Sequence, residues 1–241
     1  MKRLLLILLA LLLSCSLLSC DKEEGKAEDP PAQQESEENG STNQGGTQST
    51  TGYYDGGSFG ENDCLTWKIY FDGKLEITGN GDMPIFQTAV EGNTDLPWGD
   101  YVNASLSITK VVIGEGVTSL SQYSFKNCVK LTSVTLPSTV KEIPYNCFEN
   151  CTSLLQISGA TSVEIIREDA FLLCPALKSL HLSPALKTVE YGAFGDYSCT
   201  DGLTLYVKGS ESDWAAARAA MTIGAQNDVF QDADVRFIAA N

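Results

Sequence analysis

His181 is the one histidine in the chain, so any acid–base or zinc chemistry built on imidazole must be built on it. It stands between Leu180 and Leu182, and that alternation turns it away from the buried side. A Ser–His–Asp arrangement, a zinc hydrolase site or a His-based acid–base pair needs more partners than this chain supplies. No Gly-rich phosphate loop precedes a helix, and no Cys-x-x-Cys pair occurs. The run Asp55-Gly-Gly-Ser-Phe-Gly has the wrong ligand spacing for a calcium loop. Carboxylate pairs such as Glu23 and Glu24 sit in a polar stretch where nothing positions them. The expectation is a chain that is not an enzyme, with no catalytic residues, no metal and no cofactor.

Cysteine offers different chemistry. Met1-Lys2-Arg3 and the apolar run Leu4 to Leu13 have the size of a secretory signal and are too short for a comfortable membrane span. Leu17-Leu18-Ser19-Cys20 then reads as a lipobox, with Cys20 as the lipidated first residue of the mature protein. Leu12-Leu13-Ser14-Cys15 competes, but polarity begins at Asp21, directly after Cys20. Acyl chains contribute about 0.8 kcal/mol per buried methylene, so several of them make a stable anchor. Three more cysteines, Cys128, Cys151 and Cys174, recur at one spacing and read as a ladder of small buried thiols rather than a metal site. A bridge between stacked neighbours is geometrically conceivable, but an odd ladder of three argues against systematic pairing. Cys64, Cys147 and Cys199 have no assigned role.

That spacing belongs to a larger pattern. Phe125, Phe148, Phe171 and Phe194 lie 23 residues apart. In the same register Ile108, Leu131, Leu154 and Leu177 align, as do Val111, Val134, Ile157 and Leu180. Further columns are Val117, Val140, Val163 and Leu186, then Leu120, Ile143, Ile166 and Val189. A repeat of this length is one supersecondary unit whose apolar side is buried only by stacking on its neighbours, with roughly three units the minimum. Each fully buried Leu, Val or Phe contributes about 1.5–3 kcal/mol. Within a unit, Leu131, Val134 and Leu136 occupy the apolar positions of an L-x-x-L-x-L strand. Val140 to Ile143 gives a second short extended piece, and Tyr145 to Cys151 a tight helical turn that drops Phe148 into the core.

Alternation in the first strand of each unit points Lys110, Val112, Ser133, Thr135, Gln156, Ser158, Ser179 and His181 outward. These eight residues form the candidate binding face, because solenoids use such an extended surface for partners. They are mostly small and polar, without the aromatic and arginine anchors of hot spots. The chain carries −15 with pI near 4.4, which excludes nucleic-acid binding by phosphate neutralisation.

Five segments follow. Residues 1–19 are the lipoprotein signal peptide, and 20–56 an acidic tether, too polar to fold and expected to be disordered. Residues 57–107 are β-rich: Leu65 to Phe71 and Lys74 to Thr78 are joined by Asp72-Gly73, a strong hairpin signal, and serve as N-terminal cap. Trp67 and Trp98 pack in that cap or, alternatively, offer a sugar platform. The repeats run from 108 to 202, lengthened near Asp196 to Gly202. Residues 203–241 are a C-terminal cap: a strand at Leu203 to Val207, a helix at Glu211 to Met221 with Ser210 as cap and Trp214 inward, and a strand at Val235 to Ile238.

Units such as LTSVTLPSTVKEIPYNCFENCTS resemble the BspA-type leucine-rich repeats of bacterial surface proteins. The stretch LTWKIYFDGKLEITGNGDMP, with LPWGDY after it, resembles the segment that commonly precedes them. One departure is that the asparagine column of ordinary leucine-rich repeats is missing, with Pro137-Ser-Thr139 after the strand. Lys22-Glu23-Glu24 resembles the acidic surface-export signal of Bacteroidetes lipoproteins. The resemblance implies a β-rich solenoid of about four units. It also implies an outer-membrane lipoprotein, exposed at the cell surface, that binds a protein or glycan partner in adhesion. The alternative is a structural or accessory envelope lipoprotein without a host ligand.

Overall fold

The computed structural model describes residues 52–86, 96–102, 107–195 and 202–239. The signal segment, Cys15, Cys20, the tether up to residue 51, Cys199 and the extra residues 196–201 lie outside them. The first described strands are β1 (Asp55–Phe59), β2 (Leu65–Ile69), β3 (Lys74–Gly79) and β4 (Gly81–Asp82). Each repeat then supplies two strands: β5 (Lys110–Ile113) and β6 (Val117–Ser119), β7 (Ser133–Thr135) and β8 (Glu142–Ile143), β9 (Gln156–Ser158) and β10 (Ile165–Ile166), β11 (Ser179–Leu182) and β12 (Thr188–Val189). After the repeats come β13 (Thr204–Lys208), helix α1 (Glu211–Ala220), β14 (Thr222–Ile223), the short α2 (Asp228–Gln231) and β15 (Asp234–Ile238).

A 9-stranded sheet runs in the order β1-β2-β3-β5-β7-β9-β11-β13-β15. β1, β2 and β3 pair antiparallel, and every later pair is parallel. The hairpin at Asp72-Gly73 does not lie across the end of the stack. Its second strand pairs with β5, aligning Leu75 with Val111, and so continues the repeat sheet with a backbone edge that already matches. Leu75, Val111, Val134, Ile157, Leu180 and Leu205 form one buried column in register. The period-2 alternation of each strand sends these residues to the core and their neighbours to solvent. A second, 4-stranded parallel sheet joins β8, β10, β12 and β14, and β4 pairs with β6. On the short-sheet side Arg167 reaches Glu142 and Glu190 of the flanking rungs at 2.7 Å each.

The turn carrying each phenylalanine differs from the helical turn expected at Tyr145 to Cys151. It is a series of hydrogen-bonded turns in which Asn146 and Asn150 take φ of 52° and 58°. The left-handed residues flip alternate peptide groups toward the next rung, where a helix would have bonded them internally. Asn146, Phe148 and Asn150 N–H groups therefore donate to the Glu168, Ala170 and Leu172 carbonyls of the following unit. The turn side of the molecule is thus knit between rungs as the sheets are.

Inside, the phenylalanines stack face to face. Trp98, Phe125, Phe148, Phe171, Phe194 and Phe230 form one file, with ring centroids between 5.1 Å (Phe171 to Phe194) and 5.8 Å (Trp98 to Phe125). Offset stacks of this separation add about 0.5–1.5 kcal/mol each beyond the area they bury. The two outer rings come from the flanks, and a side chain at each end completes the rung bonding. Trp98 Nε1 donates to the Ser124 carbonyl at 3.0 Å, the position where later rungs receive a phenylalanine N–H. At the other end Asn227 Oδ1 accepts from Phe194 N at 3.1 Å, and Asn227 Nδ2 donates to the carbonyls of Glu190 and Gly224.

Candidate binding face

The outward positions of the long sheet assemble the eight sequence-derived residues on one surface. Lys110, Ser133, Gln156 and Ser179 align across β5, β7, β9 and β11, and Val112, Thr135 and Ser158 form the adjoining row. His181 takes the same place on β11, two residues beyond Ser179 and opposite Tyr206 of β13. Lys110 and Gln156 are exposed, while the other six are half-buried by their cross-strand neighbours. The hydroxyls bond sideways along the sheet. Ser158 Oγ lies 3.2 Å from Thr135 Oγ1 and equally near the Val134 carbonyl. Such mutual satisfaction leaves a flat, hydrophilic surface with spare acceptor capacity.

Register extends both rows beyond the repeats. The Lys110 row continues to Lys74 on one side and to Thr204 and Asp234 on the other. The Val112 row continues to Glu76 and Lys68, and the His181 end to Tyr206 and Arg236. Confining the face to 108–202 missed these residues. The signal for them was there: Leu203-Thr-Leu-Tyr-Val207 alternates as the repeat strands do, which turns Tyr206 outward beside His181. The two rings sit 5.2 Å apart at 41°. Burial lowers the His181 pKa, so the neutral imidazole is favoured there.

At the opposite end Glu76 accepts from Tyr70 Oη at 2.7 Å and pairs with Lys74 at 3.3 Å. The tyrosine hydroxyl and then the lysine hold the Glu76 carboxyl below its usual range, and the same bond pushes the Tyr70 phenol up to about 12. Trp67 and Trp98 do not join this surface. Both are buried, Trp98 completely, which removes a sugar platform and leaves packing.

The thiols lie on the other side of the core. Cys128, Cys147, Cys151 and Cys174 are fully buried thiols, and Cys64 is a half-buried one. Cys151 and Cys174 Sγ each donate to a phenylalanine carbonyl one rung back, Phe125 and Phe148, at 3.1 Å. Burial pushes the Cys128 thiol up to about 12 and raises Cys147 and Cys151 well above their ordinary value. Thiols held protonated this way are packing groups, not nucleophiles. Cys147, unassigned from the sequence, joins this cluster. Among the described residues no three of His, Cys, Asp and Glu gather as a metal ion would require.

Residues 99–206 match the BspA type leucine-rich repeat region in 6 copies. These repeats are BspA-type leucine-rich repeats. Solved structures similar to the chain include a leucine-rich repeat protein from Eubacterium ventriosum, 15% identical over 73% of this chain and 70% of that one, with a TM-score of 0.39. A leucine-rich repeat protein from T. pallidum is 23% identical over 68% of this chain and 81% of its own, at 0.40. A leucine rich cell surface protein from Faecalibacterium prausnitzii is 17% identical over 75% and 54%, at 0.36. At these scores the superpositions are partial, and the assignment rests on the family match and the stacked rungs. No curated protein matches the chain. On the phenylalanine turn the left-handed asparagines are linked between rungs: Asn150 Nδ2 donates to Asn127 Oδ1 at 2.9 Å.

Proposed function

We propose that this is a non-enzymatic, lipid-anchored outer-membrane protein that displays its repeats at the cell surface and binds a protein or glycan partner through the long sheet's outer face. The observation that carries the reading is that face itself: nine strands in register whose outward residues are mostly polar and reach solvent in whole or part while their neighbours fill a continuous core. The anchor is Cys20, and the acidic stretch after it is the spacer.

Metabolic labelling with palmitate tests the anchor, and protease shaving of intact cells tests display. The expected result is label on the native chain, none on a Cys20→Ala variant, and cleavage by external protease. Protection from protease in intact cells, with cleavage after the outer membrane is opened, contradicts surface display.

A second reading is an accessory lipoprotein held within a larger envelope assembly. It is favoured by Val235 and Phe237, which lie in the core-facing register of β15 yet are 38% and 40% exposed. Crosslinking to other envelope proteins without external labelling would select it.

A further inference from the structure

The hydroxyl rows of the sheet face are bracketed by cations. Lys68, Lys74 and Lys110 project outward from three neighbouring strands, β2, β3 and β5, and Lys208 and Arg236 from neighbouring β13 and β15. Between the two groups β7, β9 and β11 contribute Ser133, Thr135, Gln156, Ser158, Ser179 and His181. Two carboxylates share the face. Glu76 is already committed to Lys74 and Tyr70, and Asp234 lies at the far edge. Five fixed cations against two carboxylates make this surface positive on a chain of −15. On the short-sheet side, by contrast, Arg167 and Lys187 are both tied to glutamates. Lys110, Lys208 and Arg236 make no ion pair among the described residues. A surface of opposite sign to the whole molecule focuses potential toward an anionic ligand.

We propose that the outer face of the long sheet holds an extended polyanionic glycan, bearing sulfate or carboxylate groups, laid across the strands from the Lys74–Lys110 group to the Lys208–Arg236 group. This rests on the reading of the face as a binding surface. Four strand steps separate β5 from β13, roughly 19 Å at about 4.8 Å per step, so the ligand must be a chain of several sugar units. The centre favours sugar over an acidic peptide. Its hydroxyls and the Gln156 amide can pair with sugar hydroxyls, and it has none of the apolar sockets or aromatic anchors on which protein partners depend. Tyr206, beside His181, offers one aromatic edge at the end of the path. Single-stranded nucleic acid would need a series of stacking platforms, and the central strands have none.

The test measures binding of the full chain in detergent micelles to a heparin oligosaccharide, its desulfated counterpart, polyglutamate and a DNA oligonucleotide. Heparin binds and weakens as salt rises, as ion-pairing ligands do. The desulfated chain, polyglutamate and DNA bind at least about tenfold more weakly. Lys110→Glu, Lys208→Glu and Arg236→Glu each cost about fivefold, whereas Lys141→Glu, on the short-sheet side, leaves heparin affinity unchanged. All four positions are at the surface, and unchanged circular dichroism verifies that each variant folds. Absence of heparin binding, equal binding of polyglutamate or DNA, or equal loss in the Lys141→Glu control overturns the glycan. If heparin fails while the face variants still abolish capture of a protein partner, the glycan falls and the binding face stands. If the face variants change nothing for any partner, both fall.

Discussion

Two columns of left-handed backbone constrain the residue types of the phenylalanine turn. Tyr123, Asn146, Asp169 and Gly192 occupy one left-handed position of the phenylalanine turn, and Asn127, Asn150 and Leu173 the other. Asparagine, aspartate and glycine tolerate this region, whereas other side chains pay about 1–2 kcal/mol there. Leu173 sits at φ 58° with nearly half its surface exposed, so it gains little burial to offset the strain. Leu173→Asn is therefore expected to raise stability by about 1 kcal/mol, read as a higher urea midpoint; a lower midpoint would show that leucine packing outweighs the backbone. At the thiols, Cys64 should react with a thiol reagent in the native protein while Cys128, Cys147, Cys151 and Cys174 react only on unfolding. Rapid native labelling of any of those four would contradict the burial. His181 has a folded pKa below its ordinary 6.5. The unfolded chain then binds its proton more readily, so the stability His181 contributes is present above pH 6.5 and lost as pH falls through the folded value. The melting temperature of His181→Gln should accordingly drop less between pH 7 and pH 5 than that of the native chain.

At the scale of elements, the aromatic file and its two end bonds carry the fold. Phe148 is stacked on both sides and fully buried, so Phe148→Ala should cost about 3–5 kcal/mol, with unfolding by chemical denaturant as the measurement. Asn227 tests the closing of the last rung. It is completely buried: its Oδ1 accepts the Phe194 N–H as a backbone carbonyl does for the earlier phenylalanines, and its Nδ2 donates to the Glu190 and Gly224 carbonyls. Asn227→Ala leaves those groups unsatisfied and is expected to cost about 2–3 kcal/mol; a loss under half a kilocalorie would mean that water replaces the amide. The four repeats were legible because the same residue types return every 23 positions, which constrains strand, turn and core together. The end rungs were not. Phe230 follows Phe194 by 36 residues because α1 is inserted, and at the last rung a side-chain amide stands in for a peptide group, so no spacing betrays it. β1 escaped for a different reason: Asp55-Gly-Gly-Ser has poor strand propensity and is held by pairing with β2. The helical turn at Tyr145 to Cys151 was misread because local sequence favours a compact turn of either kind, and only the next rung's carbonyls choose between them.

For the whole molecule, the long sheet presents one cationic, hydroxyl-rich face on a chain of net charge −15, and the eight residues read from the repeats lie on it. Their placement was legible from alternation alone. Of its flanking cations only Lys110 was, because Lys68, Lys74, Lys208 and Arg236 belong to strands outside the 23-residue pattern and join the face only through sheet register. The claim on which the functional account stands is that a partner lies across these strands. The direct measurement is partner capture by the full chain beside a Ser133→Arg, Ser179→Arg variant, which raises bulk at the centre of the face, and a Glu164→Arg variant on the short-sheet side. Capture lost in the first and retained in the second is the predicted result. Equal capture by all three chains would contradict it.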